Sequence, residues 1–168
     1  MAITKEEKVT IPCMEPTRYF ISCPTHNIRL RCWANGRISS SANYMGCEEW
    51  LLIPVDDEAA ATNTIFKSFR KSESQVFLLQ SCKYGKFLNA KKSDSDNGEV
   101  GASAEAENAT RWHMDTKSDG CVSLVTEMAD GKIRELSCDE RGIIRTISTA
   151  ADLDLKATAI ESVCEEEE

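Results

Sequence analysis

The chain is poor in histidine, the residue that most often carries acid–base catalysis. It holds two histidines, His26 and His113, among 168 residues. A Ser-His or Cys-His nucleophile pair therefore has few possible members. His26 falls in a predicted hairpin turn with Pro24 and Thr25, and His113 follows Trp112 on a predicted strand. Both are positions for a surface or internally satisfied imidazole. There is no Gly-rich phosphate loop, no G-x-S-x-G and no H-E-x-x-H. The expectation is a protein that is not an enzyme and needs no cofactor. No apolar run approaches the roughly 20 residues of a membrane helix. The first residues, Met1 to Lys8, are charged where a signal peptide is apolar, and position 2 is not the glycine that myristoylation needs. The expected location is the cytoplasm. Positive charge is also in deficit: the formal net charge is −8, and Glu165 to Glu168 close the sequence as a solvated tail. A surface of that sign repels nucleic acid and anionic lipid, so neither is expected as a partner.

Cysteine, by contrast, is plentiful. The eight are Cys13, Cys23, Cys32, Cys47, Cys82, Cys121, Cys138 and Cys164. No pair has the C-x-x-C spacing of a zinc or thioredoxin-like site, and nothing directs the chain to an oxidising compartment. They read as small buried thiols. Asp94 to Glu99 resembles a calcium loop only briefly, because the glycine is fifth rather than sixth and the surroundings read as a β-hairpin. No metal site is expected. Asn108-Ala109-Thr110 is a glycosylation sequon in form alone.

What the chain does have is an internal repeat, which bears on architecture before any other signal. Asn35-Gly36-Arg37-Ile38 leads to Trp50, and Asn97-Gly98-Glu99-Val100 leads to Trp112 with the same spacing. Arg141-Gly142-Ile143-Ile144 leads to Leu155, one residue short of it. Upstream, Leu30, Leu88 and Leu136 align, with four extra residues before Gly98 in the middle copy. Each copy reads as four short strands, over about 18–55, 75–117 and 121–160. Residues 1–17 form an N-terminal extension with one strand candidate, Val9 to Ile11. Residues 56–74 are an insert, and 164–168 are the acidic tail. Asn35-Gly36, Asn97-Gly98 and Asp130-Gly131 predict hairpins with primed turns. Period-2 alternation points Ile38, Val100 and Ile144 the same way, and Trp50, Trp112 and Leu155 are the expected core anchors.

Three four-stranded copies, each with a large apolar residue on its last strand, resemble a β-trefoil, an all-β fold. Tyr84-Gly85-Lys86-Phe87-Leu88-Asn89-Ala90, followed by a glycine turn and a lead-in to tryptophan, is most similar to the fascin-type trefoils over residues 18–160. That resemblance implies binding and crosslinking of actin filaments, usually by several trefoils in tandem. Ricin-type trefoil lectins are a poorer match, because their Gln-x-Trp is replaced by Glu48-Glu49-Trp50, Thr110-Arg111-Trp112 and Leu153-Asp154-Leu155. A protease inhibitor presenting the 56–74 insert, or a sugar- or small-ligand-binding trefoil, are the alternatives.

The candidate partner-binding residues are basic. Lys83, Lys86, Lys91 and Lys92 flank one predicted hairpin, with Lys67, Arg70 and Lys71 upstream. Together they would make a positive patch for an acidic protein partner such as a filament. Trp33, whose counterpart in the third copy is Asp139, is expected as an exposed contact. Arg29, Arg31 and Arg37 form a second, smaller basic group.

Overall fold

Alternating side-chain burial marks two of the strands most clearly. In Val76–Ser81 and Val122–Glu127, buried and half-buried residues interleave, as strands with one face inward require. The computed structural model describes residues 17–55, 76–92, 97–116, 121–148 and 159–162. Over these the protein is all-β and antiparallel. No helix occurs among the described residues, so none there is long and apolar enough to cross a membrane.

The strands are β1 (Arg18–Cys23), β2 (Ile28–Cys32), β3 (Ile38–Ser41), β4 (Glu49–Pro54), β5 (Val76–Ser81), β6 (Phe87–Ala90), β7 (Asn97–Gly98), β8 (Val100–Ser103), β9 (Trp112–Thr116), β10 (Val122–Glu127), β11 (Ile133–Cys138), β12 (Ile144–Ser148) and β13 (Ala159–Ser162). One run of neighbours links β13, β1, β4, β5, β9 and β10. From β1 hang β2 and β3, from β5 hang β6 and β8, and from β10 hang β11 and β12. The hairpin layer is itself stitched across. β12 pairs with β7, and Arg37 bridges to Gly101.

Equivalent residues meet in one core. Ile21, Leu79 and Leu124 come from β1, β5 and β10, and Leu30, Leu88 and Leu136 from β2, β6 and β11. Cys32, Trp50 and Trp112 complete the cluster with no exposed surface, and Ile38, Val100 and Ile144 pack against it. Burying each indole stabilises the fold by a few kcal/mol, at about 25 cal/mol per Å². Each indole also satisfies a buried carbonyl. Trp50 Nε1–H donates to Leu30 O at 3.0 Å, and Trp112 Nε1–H to Leu88 O at 3.1 Å.

The turns correct the sequence reading. At 33–37 the Gly36 N–H donates to Trp33 O and the Trp33 N–H to Arg37 O. The same pattern recurs at 128–132 and 139–143. In each, the glycine alone takes positive φ, as in a three-residue loop closed by a left-handed residue, rather than a primed two-residue turn. Asn97–Gly98 is not a turn: it is the short strand β7, held against Thr146 and Ile147. A Cβ on Gly98 would lie 2.5 Å from Thr146 Oγ1, so close approach of strands accounts for that glycine. The strand that pairs with β1 in the third copy is β13, beyond Leu155. Leu155 itself lies outside the described residues, as do Val9 to Ile11, the insert 56–74, Asp94 to Asp96 and the tail 164–168.

The thiols at Cys23, Cys32, Cys47 and Cys138 are buried, and those at Cys82 and Cys121 are half-buried; none of the six is in a disulfide. Burial pushes the Cys32 thiol up from its ordinary range. It does the same for Cys82, with the Glu49 carboxylate adding to it. Both are therefore poor nucleophiles.

Candidate functional site

The starts of β3, β8 and β12, one from each copy, converge at the hairpin end of the molecule. The convergence depends on missing side chains. Ala102 N–H donates to Gly36 O at 2.8 Å, and a Cβ on Gly36 would sit 2.2 Å from Ala102 O. Between the three starts lies a cavity of about 590 Å³. Ile38, Val100, Ile143 and Ile144 supply its apolar wall, and Arg37, Lys91 and Arg145 its cations. Glu99 is the one carboxylate on its lining among the described residues.

Each cation is held differently. The Arg37 guanidinium lies over the Trp33 ring, 4.8 Å from its centroid, and has no carboxylate partner among the described residues. Lys91 Nζ is 3.9 Å from Glu99 Oε2, a long pair between two exposed side chains, which adds little stability. Arg145 is tied to Asp139 Oδ2. Asp139 is organised in turn by the β11–β12 loop, its Oδ1 accepting the N–H of Ile143 at 2.9 Å and of Arg141 at 2.8 Å. Those backbone donors, that of Ile143 foremost, and the Arg145 charge hold the Asp139 carboxyl below its usual range. The Arg145 Nε is buried without a hydrogen-bond partner.

The basic residues singled out from the sequence divide. Lys86 and Lys91 reach this end: Lys86 donates to Ala34 O on the β2–β3 loop, and Lys91 Nζ would lie 3.4 Å from a Cβ on Gly101. Lys92 is exposed. Lys83 stands on the 82–85 turn, its Nζ 5.6 Å from the Tyr84 ring centroid and its stem beside Gly46, and it does not line the cavity. Lys67, Arg70 and Lys71 lie outside the described residues.

Two expectations need correction. Trp33 is half-buried rather than exposed: Arg31 and Arg37 lie over its ring, and its Nε1–H donates to Ser39 Oγ at 2.8 Å. The second basic group also breaks up. Arg29 is 1% exposed, donates to Ala42 O at 2.7 Å and to Asn27 Oδ1 at 2.8 Å, and stacks on Tyr44. Arg31 pairs with the fully buried Glu48 at 3.5 Å. Only Arg37 of the three reaches the cavity. Arg145 and Ile143 were missed in the sequence. Their signal was that they flank Ile144 where the other copies carry Arg37 and Ser39, or Glu99 and Gly101.

No family model matches the chain, and no curated protein matches it.

Proposed function

We propose that the chain is a single β-trefoil of the fascin-like type, a non-enzymatic cytoplasmic protein that binds an acidic protein partner, such as an actin filament, with its hairpin end. The strand pairings support the trefoil reading: each copy contributes two strands to the linked six and sends out one hairpin, and equivalent leucines meet in one core. The observation that carries the binding role is the gathering of Arg37, Lys86, Lys91 and Arg145, from all three copies, on one end of a molecule whose net charge is −8. A local positive face on an acidic protein steers an acidic partner to that face and orients it. Co-sedimentation with actin filaments at low and moderate salt tests the reading. Pelleting at low salt, weakened by salt and by the pair Arg37→Glu and Lys91→Glu, is the expected result. No pelleting at either salt overturns it.

A further inference from the structure

We infer that the cavity at the hairpin end binds a small phosphorylated ligand, a phosphate monoester on a carbon skeleton about the size of a sugar. This rests on the cavity and not on the filament reading, although both concern the same end. At about 590 Å³ the space falls within the range of small-molecule pockets, roughly 300–1,000 Å³, and exceeds what a bare anion fills. Its wall is aliphatic, and Ile143 is left 48% exposed there, an apolar surface open to a ligand's body.

Among the described residues the lining charge is three cations against one carboxylate, which suits a group carrying nearly two negative charges at neutral pH. Two of the cations are guanidiniums, whose planar forks match phosphate oxygens two at a time. Among the described residues Arg37 has no carboxylate to leave. Lys91 would give up only a long pair with Glu99, whose side chain is 87% exposed and turned to solvent. Arg145 keeps Asp139, and with its Nε buried it adds positive charge to the cavity rather than an open donor there.

Packing does not account for these residues. Ile38, Val100 and Ile144 occupy equivalent places against the core, yet the residues before them are Arg37, Glu99 and Ile143, and those after them are Ser39, Gly101 and Arg145. The fold therefore asks for the aliphatic residue and leaves its neighbours free. Glycine at 101 keeps room for Lys91, whose Cε would lie 2.9 Å from a Cβ there.

Calorimetric titration of the full chain at low salt, with glucose 6-phosphate, inorganic phosphate and glucose as probes, tests the inference. Glucose 6-phosphate is expected to bind at least about tenfold tighter than either of the others, since the ester uses the cations and the wall together. Arg37→Gln and Lys91→Gln should each weaken it by about tenfold, as loss of a charged hydrogen bond does. Lys83→Gln, away from the cavity, should leave it unchanged, and Ile143→Trp should block it. These side chains are at least partly exposed, and thermal unfolding of each variant verifies its fold. If Ile143→Trp does not fold, the two cation variants decide. No saturable binding of the ester at about millimolar concentration overturns the inference. So does equal affinity for glucose, equal affinity for inorganic phosphate, or undiminished binding by Arg37→Gln and Lys91→Gln. Because no filament is present, this result and the co-sedimentation result can fail separately.

Discussion

Gly36 and Ala102 touch backbone to backbone: the Ala102 amide donates to the Gly36 carbonyl at 2.8 Å, and a Cβ on Gly36 would overlap the Ala102 carbonyl oxygen at 2.2 Å. Gly36 also has φ of 85°. Gly36→Ala therefore combines left-handed strain with a clash that no side-chain rotation relieves, and should destabilise the fold by about 3 kcal/mol. Gly131 has φ of 80° with nothing within 4 Å of its Cβ position. Gly131→Ala should cost only about 1 kcal/mol. Urea unfolding of the two variants checks the contrast; equal losses would mean that the hairpin ends do not meet at Gly36.

The two buried indoles make the same bond to equivalent carbonyls. Trp50→Phe and Trp112→Phe should each destabilise by about 2–4 kcal/mol, because a buried acceptor loses its donor and a small cavity opens. Denaturant midpoints with an unchanged slope would verify that the loss is one of stability alone.

Glu48 is fully buried, with Oε2 accepting the Met45 N–H at 3.2 Å and Oε1 facing Arg31 at 3.5 Å. Arg31→Met keeps the stem but strands the carboxylate, and should cost about 2 kcal/mol, below the range for fully buried pairs because Arg31 is partly open to solvent. Adding Glu48→Gln should recover part of that loss. A double-mutant cycle measures the recovery, and purely additive losses would show that the two groups do not interact.

Asp139 gives the acid limb of stability a specific source. Its carboxyl is held below the ordinary value of 3.8, chiefly by the Ile143 amide. A group depressed in the folded state stabilises fully above its unfolded value and loses that contribution as pH falls through the folded one. The stability difference between the native chain and Asp139→Asn should thus be constant near neutrality and shrink below pH 3.8. Unfolding curves at stepped pH measure it; a gap that widens in acid would contradict the assignment.

Much of the strand layout was legible because packing repeats. Ile38, Val100 and Ile144 were placed by their distance from a glycine, and Trp50 and Trp112 by theirs, since a residue that must reach a shared core recurs at a constant offset. The turn chemistry was less legible. Asn-Gly is equally compatible with a turn and with a strand start, and at Asn97–Gly98 the pairing with β12 won over local preference. Of the predicted basic patch, Lys86 and Lys91 were found together. Arg145 was not, because it lies far along the chain from both.

The sequence by itself determined the all-β class, the spacing of the core residues and the scarcity of histidine, because each depends on residue type and local period. Tertiary structure decided which charges can act. Arg29 and Arg31 look as free as Arg37 in the sequence, yet one is buried against Ala42 and Tyr44 and the other answers Glu48. Arg145, from the third copy, is carried to the same cavity as Arg37 and Lys91. The reason is physical: antiparallel pairing closes distances of a hundred residues, and no local pattern encodes which loop ends will then meet.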